Sequence, residues 1–340
     1  MNHSFWNGRS VLVTGATGLL GGWLVKRLLG AGAIVVVLVR NRTSSSIVVR
    51  EGLLDQSIII DGELTDAALI HDALERHTPQ TVFHLAAQTQ VGTAWQDPVS
   101  TFESNIKGSW VLLDACRKAE TPQIILSSSD KAYGSTGGLP HLETHPLQAR
   151  FPYDVSKSCA DLIAQMYATS YGLPVCVARC GNIFGGGDMN FNRAIPGLIR
   201  DTFYGKRFVI RSDGRSIRDF LYVEDAVEAY VRLAECLDTS PSLIGEAFNF
   251  SMGARVTVLE LVQHVINIMG RSDLVPLIRN TTSHEVREQY LSAQKSKETL
   301  GWSPQFDMEE ALSQTVAWYE KYFSSIGSTV IDQARNTVTH

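Results

Sequence analysis

The chain has 340 residues, of which 44% are hydrophobic and 19% charged, a composition typical of a soluble globular protein large enough for two lobes. Its net charge of −5 and the lack of any run of lysine and arginine argue against a nucleic-acid-binding protein. No apolar stretch approaches the roughly 20 residues that span a bilayer, and no basic region leads into an apolar one near Met1, so we expect a cytoplasmic protein without a membrane partner.

The cysteines form an odd set without a Cys-x-x-Cys pair: Cys116, Cys159, Cys176, Cys180 and Cys236. Metal binding and buried free thiols are the two alternatives. Because the spacing of a metal site is missing, we expect free thiols in a reducing cytosol and no metal.

The first half of the chain alternates short apolar runs with helical patterns, which is typical of a parallel sheet with crossover helices. The predicted strands are 11–14, 34–39, 57–60, 81–85, 123–127 and 174–179. The predicted helices between them are 20–29, 66–75, 102–119 and 155–170. The pattern predicts an α/β protein with a Rossmann-type, doubly wound parallel sheet.

A glycine-rich turn joins the first predicted strand to the first predicted helix, where residues 14–21 read Thr-Gly-Ala-Thr-Gly-Leu-Leu-Gly. Glycines at these positions allow a tight turn and bring backbone N–H groups close to a pyrophosphate at a helix N-terminus. A plain strand-to-helix turn is the alternative, but the position within a βαβ unit favours dinucleotide binding.

The end of the second predicted strand bears on the choice between NAD and NADP, because an acidic residue there binds the ribose 2′-hydroxyl of NAD. Residues 38–46, which include Thr43 and three serines, contain no acid, and Arg40 and Arg42 are suited to grip a 2′-phosphate. We therefore favour NADP. Arginines that are solvated or that stack on adenine remain the alternative.

After Gly181 the pattern becomes less regular, and helices at 256–269 and 308–322 are separated by irregular connections. We predict an NAD(P)-binding Rossmann domain over residues 1–182, to which the chain returns at about 219–250. Residues 183–325 are predicted to form a smaller, discontinuous substrate-binding lobe, followed by a polar tail at 326–340.

A hydroxyl, a carboxylate and an amine follow one another at Ser129, Asp130 and Lys131, upstream of Tyr153 and Lys157. The i,i+4 spacing places Tyr153 and Lys157 on one helix face, where the ammonium group is expected to lower the phenol pKa from about 10 toward neutrality. A phenolate that exchanges a proton near pH 7 is what oxidation of a sugar alcohol to a ketone requires.

In combination these residues resemble the extended short-chain dehydrogenase/reductase family, specifically its nucleotide-sugar-modifying branch. The resemblance covers about residues 5–322, and its motifs are the glycine turn, His84-Leu85-Ala86-Ala87, Asn105, the serines before Asp130, Tyr153-x-x-x-Lys157 and Arg218-Asp219-Phe220. The Ser-Asp-Lys triplet at 129–131 is similar to that of CDP-glucose 4,6-dehydratases, whereas 4-epimerases usually carry small or apolar residues at its last two positions. Further stretches at 5–9, 181–196 and 284–304, which include His284 and Glu285, resemble the same enzymes.

The resemblance implies a nicotinamide cofactor that is tightly bound and recycled. The residues implied to contact it are Gly15, Thr17, Gly18, Leu19, Leu20, Gly21, Arg40, Arg42, Glu63, Leu64, Leu85, Ala86, Ala87, Gln88, Asn105, Ser127, Ser128, Tyr153, Lys157 and Arg179. A nucleotide diphosphate sugar is the implied substrate, contacted by Gln88, Ser129, Asn182, Arg193, Arg218 and Tyr290. The family also implies a homodimer packed through two helices per subunit, here 102–119 and 155–170.

The implied activity is that of a nucleotide-sugar 4,6-dehydratase, a lyase of deoxysugar biosynthesis. Tyr153 takes the proton of the 4-hydroxyl as hydride leaves C4 for the nicotinamide, and Ser129 or Ser128 hydrogen-bonds the 4-oxygen. Asp130 then protonates the leaving 6-hydroxyl while a neutral Lys131 takes the C5 proton, and hydride returns to C6. A direct Asp130–Lys131 ion pair would oppose both of these protonation states.

Two alternatives to this activity remain open. One is a 4-epimerase similar to UDP-glucose 4-epimerase, in which Asp130 and Lys131 are idle and the product mass is unchanged; the alternative role of these two residues is to cap a loop and form a surface pair. The other is a non-catalytic NADP-binding regulator on the same fold. Outside the motifs, His84 is expected to be structural, and Trp95 and Trp110 are expected to be packing residues rather than platforms for a sugar.

Overall fold

The computed structural model describes residues 1–42, 45–135, 138–281 and 286–326. Thr43, Ser44, His284, Glu285 and the tail from 327 onward, all considered above, lie outside the described residues.

The strands of the described residues belong to one large sheet and to smaller sheets of a second lobe. In chain order they are β1 (Ser10–Thr14), β2 (Ile34–Val39), β3 (Ile58–Asp61), β4 (Thr81–His84), β5 (Ile124–Ser129), β6 (Val175–Cys180), β7 (Asn182–Phe184), β8 (Val209–Ile210), β9 (Ile217–Tyr222), β10 (Ala247–Phe250), β11 (Arg255–Thr257), β12 (Leu277–Ile278) and β13 (Glu288–Gln289).

The α-helices pack on both faces of the large sheet and form much of the second lobe. They are α1 (His3–Trp6), α2 (Leu19–Gly30), α3 (Ile47–Arg50), α4 (Ala67–His77), α5 (Val91–Gln96), α6 (Pro98–Phe102), α7 (Gly108–Lys118), α8 (Pro152–Tyr171), α9 (Ala194–Phe203), α10 (Val223–Thr239), α11 (Val258–Ile268) and α12 (Met308–Ile326). A π-helical turn, Glu103–Lys107, joins α6 to α7, and a 3₁₀ turn, Asp130–Tyr133, follows β5 directly.

The large sheet has seven parallel strands in the order β10-β6-β5-β4-β1-β2-β3. The chain reverses its direction of travel across the sheet between β1 and β4, and such a switch point is where open α/β sheets bind ligands at the carboxyl ends of their strands. The predicted α/β class with a Rossmann-type sheet is thereby confirmed.

Both faces of the large sheet are buried, which explains why its strands read as apolar runs rather than as an alternating pattern. Val11 and Val13 pack in one cluster with residues of α2 and α10. Leu12, which points to the other face, packs in a second cluster with residues of α4, α7 and α8. The sheet therefore holds the carboxyl ends of β1, β4 and β5 in a fixed relation to one another.

The smaller lobe is organised around β9, which pairs in parallel with β7 and β13 and antiparallel with β11. Helices α9, α11 and α12 contribute its core. After β9 the chain returns to the large sheet through α10 and β10, which pairs with β6. The return segment expected at 219–250 thus begins at Val223 in the structure, because residues 219–222 belong to the smaller sheet.

Within the described residues, none of the helices combines the length and apolarity needed to span a bilayer. The same part of the chain holds no group of three or more His, Cys, Asp or Glu side chains arranged to bind a metal ion. All five cysteines are free thiols.

Candidate active site

The glycine turn after β1 is shaped for close contact between backbones. Gly15 adopts φ +76°, and a Cβ added there would lie 2.7 Å from the backbone nitrogen of Ala86 in the loop after β4. A Cβ on Gly21 would collide with the carbonyl oxygen of Gly15. Side chains at these two positions are therefore excluded. The turn forms a cradle lined by backbone atoms at the carboxyl end of β1.

The cradle opens onto the first turn of α2. Gly18 is the N-cap residue and makes no side-chain cap hydrogen bond to the N–H groups that follow. These N–H groups, at Leu19, Leu20 and Gly21, face outward at the positive end of the helix dipole, where a pyrophosphate is stabilised. The turn therefore fits the dinucleotide that the glycine motif predicts.

Two arginine–carboxylate pairs lie where the ends of β2 and β3 adjoin. The Arg42 guanidinium is 2.7 Å from Asp61, the last residue of β3, and Arg40 is 3.8 Å from Glu63. All four side chains are largely exposed. Asp61 belongs to none of the sequence motifs, although the parallel register of β2 and β3 places it beside Val39.

The loop after β4 is held by a buried polar network. His84 lies between the hydroxyls of Thr14 and Ser109, at 2.9 Å and 3.0 Å. Burial lowers the pKa of His84 to about 3, so the ring is neutral. Thr14 also accepts hydrogen bonds from the backbone N–H groups of Leu85 and Ala86, both at 3.2 Å. His84 therefore has the structural role expected of it.

Asn105 joins this loop to α8 rather than pointing into the cradle. Its Oδ1 accepts from the Gln88 backbone N–H at 2.7 Å, and its Nδ2 donates to the Gln88 carbonyl and to the Ser156 hydroxyl, both at 2.9 Å. The structure thus shows Asn105 positioning the loop after β4, and its contact with a cofactor stays a prediction. The Gln88 side chain donates to Thr101 and to the Gln90 carbonyl.

Tyr153 and Lys157 lie in the first turns of α8, where Pro152 occupies the first helical position. Lys157 donates from Nζ to the carbonyl oxygen of Ser127 at 2.9 Å, at the end of β5. Burial lowers the pKa of Lys157 to about 8.

The expected depression of the Tyr153 pKa is not found in the polypeptide alone. Burial of the phenol raises its pKa above the usual value, while the nearby Arg193 charge and the Ser129 side chain act in the opposite direction. Burial therefore outweighs the nearby positive charge in the polypeptide, and the lowering of the Tyr153 pKa by Lys157 stays a prediction. Helix spacing could not reveal how deeply the ring is buried, which is the dominant effect.

Asp130 and Lys131 are in direct contact in the 3₁₀ turn after β5. Lys131 donates from Nζ to Asp130 Oδ1 at 3.3 Å and to Asn182 Oδ1 at 3.2 Å, and the Ser129 hydroxyl donates to the same Asp130 oxygen at 2.9 Å. The Asp130 side chain is fully buried, and its Oδ2 has no hydrogen-bond partner within the described residues. The alternative of a surface pair is therefore wrong, although the ion pair that would oppose the proposed chemistry is present.

Two further carboxylates lie around this pair, and sequence reasoning assigned neither of them a role. Asp219 accepts from the Ser251 hydroxyl at 2.7 Å and from the Leu291 N–H at 2.9 Å, and its backbone carbonyl accepts from Asn182 at 2.9 Å. Burial raises its pKa to about 7. Burial likewise raises the pKa of Asp154, the residue after Tyr153, to about 6.

Arg193, the N-cap residue of α9, links that helix to the loop after β4. Its guanidinium contacts Asp188 Oδ2 and the Thr89 hydroxyl, both at 3.0 Å, and it is partly exposed. Arg218, on β9, donates to the Ile217 carbonyl at 3.0 Å.

Tyr290 is the residue that follows β13. The centre of its ring lies 4.2 Å from the guanidinium carbon of Arg255. Of the other predicted site residues, Ser128 has a buried hydroxyl without a hydrogen-bond partner in the described part of the chain. Leu64 is buried in the cluster beneath α4 and α7.

Arg179 does not fit its predicted place among the cofactor ligands. Its buried guanidinium forms two hydrogen bonds with the carboxylate of Asp161, at 2.8 Å and 2.9 Å, and a third with Tyr133 Oη at 2.8 Å. These bonds join β6 to α8 within the core, so we assign Arg179 a structural role. Its position at a strand end made it a candidate, but the sequence could not show that Asp161 was its partner.

The two tryptophans also differ from expectation. Trp95 is 65% exposed and Trp110 44% exposed, so neither is a packing residue within the protomer. Trp95 only approaches Phe151, with ring centroids 6.2 Å apart.

Comparison with known proteins agrees with this geometry. The chain matches the model of the NAD dependent epimerase/dehydratase family over residues 11–250. It is 29% identical to CDP-glucose 4,6-dehydratase of Salmonella typhimurium, covering 95% of this chain and 93% of the relative. It is 31% identical to dTDP-glucose 4,6-dehydratase of Streptomyces griseus, covering 92% and 95%.

Among solved structures, UDP-glucose 4-epimerase of Thermotoga maritima is similar, with a TM-score of 0.83, 29% identity, and coverage of 92% of this chain and 99% of that one. The family model spans well over half of the chain and includes the cradle, the Tyr153 helix and the Asp130–Lys131 turn. This protein therefore belongs to the NAD dependent epimerase/dehydratase family.

Proposed function

We propose that the protein is a nucleotide-diphosphate-sugar 4,6-dehydratase, a lyase that yields a 4-keto-6-deoxy sugar nucleotide. The observation that carries this proposal is the contact between the buried Asp130 and Lys131 in the turn after β5. Lys157 donates a hydrogen bond to Ser127 in the same strand, so the pair lies close to the Tyr153 helix. Oxidation at C4 needs only Tyr153 and a hydride acceptor, whereas loss of water across C5–C6 needs an acid and a base as well. Two relatives named as 4,6-dehydratases, each matching more than nine-tenths of the chain, support this assignment.

The first step in this proposal is removal of the 4-hydroxyl proton by Tyr153. The bound nicotinamide supplies the acceptor for the C4 hydride and later the donor to C6. Lys157 and Arg193 place positive charge near the phenolate, and Ser129 lies beside the reacting oxygen as a hydrogen-bond donor. Because burial disfavours the phenolate in the polypeptide alone, these donors and charges are needed at the moment of proton transfer.

The second step needs Asp130 as an acid and Lys131 as a neutral base. Both forms arise together when one proton moves from Lys131 Nζ to Asp130 Oδ1 across their 3.3 Å contact. A buried pair favours this neutral form once a substrate excludes water, because an ion pair in a low dielectric loses its hydration. Lys131 then takes the C5 proton, and Asp130 protonates the departing 6-hydroxyl.

The diphosphate of the substrate is assigned to Arg193 and Arg218, because an arginine fork matches two phosphate oxygens. Asn182 lies beside Lys131, and Tyr290 lies one residue beyond β13; both are assigned to the sugar side of the cleft. The free thiols favour the reducing cytoplasm as the compartment of the protein.

For the cofactor we favour NADP over NAD, although the family model is named for NAD. Arg40 and Arg42 supply two exposed positive charges beside the end of β2, and Asp61 and Glu63 hold them in place. Equilibrium dissociation constants for the two cofactors test this choice. Tighter NADP binding that is lost in Arg40→Ala is expected, with the affinity for NAD unchanged. Equal affinity for NADP in both proteins would refute a 2′-phosphate contact.

A homodimer is the proposed assembly, packed through helices α7 and α8. Their outer faces expose Trp110, Leu162, Met166 and Tyr171. Contiguous exposed apolar side chains of this size are typical of a protein–protein interface.

A 4-epimerase is the second candidate, favoured by the similar epimerase structure. The experiment that separates the two is incubation of the purified protein with CDP-, GDP-, dTDP- and UDP-hexoses, followed by mass spectrometry. A product lighter by one water with any of them supports the dehydratase. A new hexose of unchanged mass would establish the epimerase instead.

A further inference from the structure

Asp154 is a half-buried carboxylate at the edge of the Asp130–Lys131 pair, and the proposed mechanism makes no use of it. It follows Tyr153 in the first turn of α8. Its carboxylate makes no hydrogen bond or ion pair with the residues that the structure describes. Lys131 and Asp130 nevertheless act on it electrostatically, in opposite directions.

The backbone holds Asp154 against the turn that carries Lys131. The Ser158 hydroxyl is 2.9 Å from the carbonyl oxygen of Ala132 and 3.2 Å from that of Asp154. The residue after Lys131 and the residue after Tyr153 are therefore joined through one side chain. This contact holds the backbone of Asp154 close to the turn that carries Lys131.

The other acids near Lys131 are not placed to exchange protons with solvent. Asp130 is fully buried, and Asp219 is 1% exposed with both carboxylate oxygens already accepting hydrogen bonds. Asp154 alone among these three reaches the surface and keeps its oxygens free of protein donors. Burial, Lys131 and Asp130 together bring its pKa to about 6, so it gains and loses protons readily near neutrality.

We propose that Asp154 is the proton relay between Lys131 and solvent, an inference that rests on the proposed dehydratase function. When the C5–H bond breaks, the electron pair stays on the sugar as an enolate and the proton forms a new N–H bond on Lys131. One N–H proton of the resulting ammonium then passes through an intervening water to the Asp154 carboxylate, and Asp154 releases it to bulk water. The reverse sequence supplies a solvent proton to C5 when hydride has entered C6.

The isotope content at C5 tests this relay. Unlabelled substrate is converted in D2O under single-turnover conditions, and the ketone is trapped at once by borohydride reduction before C5 is analysed by NMR. Wild-type enzyme is expected to give almost complete deuteration. In Asp154→Asn the abstracted proton stays on the amine among three equivalent positions, so at least about one third of the product should retain protium at C5.

Asp154→Glu keeps a carboxylate at this position, so its product should again be almost completely deuterated at C5. Asp154→Ser serves as a second variant without the carboxylate if Asp154→Asn does not fold. A merely structural role would change the rate but not this ratio. Equal deuteration in the wild type and the removal variants would overturn the relay, and so would a wild-type product that already retains a third of its protium. If the wild type forms no dehydrated product at all, the proposed function itself fails.

Discussion

Lys131 contacts both a carboxylate oxygen of Asp130 and an amide oxygen of Asn182, so its charge state depends on where one shared proton resides. In the resting protein the contact is an ion pair. The proposed elimination needs the neutral pair, which forms from the same atoms without any rearrangement of the turn.

Replacing Lys131 by Met should separate the two halves of the reaction. Oxidation at C4, read from the nicotinamide absorbance, should persist, whereas dehydrated product should fall by about 10²–10⁴-fold because the base is gone. Substrate deuterated at C5 should keep its label in this variant and lose it in the wild type. Lys107→Met, which removes an exposed lysine paired with Glu103, serves as the control and should leave both readouts unchanged. Unchanged loss of the label in Lys131→Met would exclude Lys131 as the base.

The pH dependence at the residue scale follows from Lys157. Burial lowers its pKa to about 8, so the ammonium is charged below that pH and neutral above it. The active form combines a charged Lys157 with an ionised Tyr153, and the pKa of Tyr153 lies above that of Lys157, so kcat/KM should rise with pH up to about 8 and then level off. Lys157→Arg keeps the charge at higher pH, so kcat/KM of this variant should continue to rise above pH 8. A wild-type profile without a change of slope near pH 8 would contradict the role given to Lys157.

The residues that sequence reasoning located best are those whose partners are near in the chain. The Ser129–Lys131 triplet and the i,i+4 pair of Tyr153 and Lys157 are local patterns that helix and strand geometry preserve. The hydrogen-bond partners of Asn105 and Arg179 could not be predicted, because Gln88 and Asp161 come from other segments of the chain. Burial, which sets the Tyr153 pKa, is likewise a property of the assembled fold.

At the scale of elements, the strand–turn–helix unit β1–α2 carries the cofactor cradle, and its glycines are not equivalent. Gly15 has a left-handed backbone conformation, and Gly21 lies where helix and turn approach most closely. Gly30, in the last turn of the same helix, has open space around its Cβ position.

Gly21→Ala should therefore push α2 away from the turn and weaken cofactor binding by at least about tenfold, or about 1.4 kcal/mol. Gly30→Ala in the same helix is the matched control, because alanine is favoured over glycine in helices by roughly 0.5–1 kcal/mol and meets nothing there. Calorimetric titration with NAD and NADP measures the first effect, and thermal unfolding the second. Wild-type cofactor affinity in Gly21→Ala would show that the close approach has no part in binding.

At the scale of the whole molecule, the large parallel sheet could be predicted because each strand is buried on both faces and each crossover is local in sequence. The sequence pattern predicted helices close to α11 and α12 of the smaller lobe, but the strand pairing of this lobe could not be predicted, since β9 pairs with β7, β11 and β13 from distant parts of the chain. Its short strands of two to six residues also carry little periodic signal. The exposure of Trp110 could not be predicted either, because a sequence pattern does not distinguish a buried aromatic residue from an exposed one.

The proposed dimer predicts a change of mass in solution. Leu162, on the outer face of α8, is 53% exposed, and Leu162→Asp places a charge in the centre of the expected interface. Sedimentation should show about twice the chain mass for the wild type and a monomer for the variant. Leu259→Asp, on α11 of the smaller lobe with 41% exposure, is the control and should remain dimeric. A monomeric wild type at micromolar concentration would contradict the assembly.

The transfer of the C4 hydrogen to C6 within one active site can be measured directly by isotope labelling. A nucleotide hexose labelled with deuterium at C4, of whichever base the enzyme accepts, is converted and its product examined by mass spectrometry and NMR. The account predicts a 4-keto sugar lighter by one water that carries the deuterium in its C6 methyl group, because hydride leaves C4 and returns to C6 in the same site. A product of unchanged mass with deuterium still on C4 would contradict it.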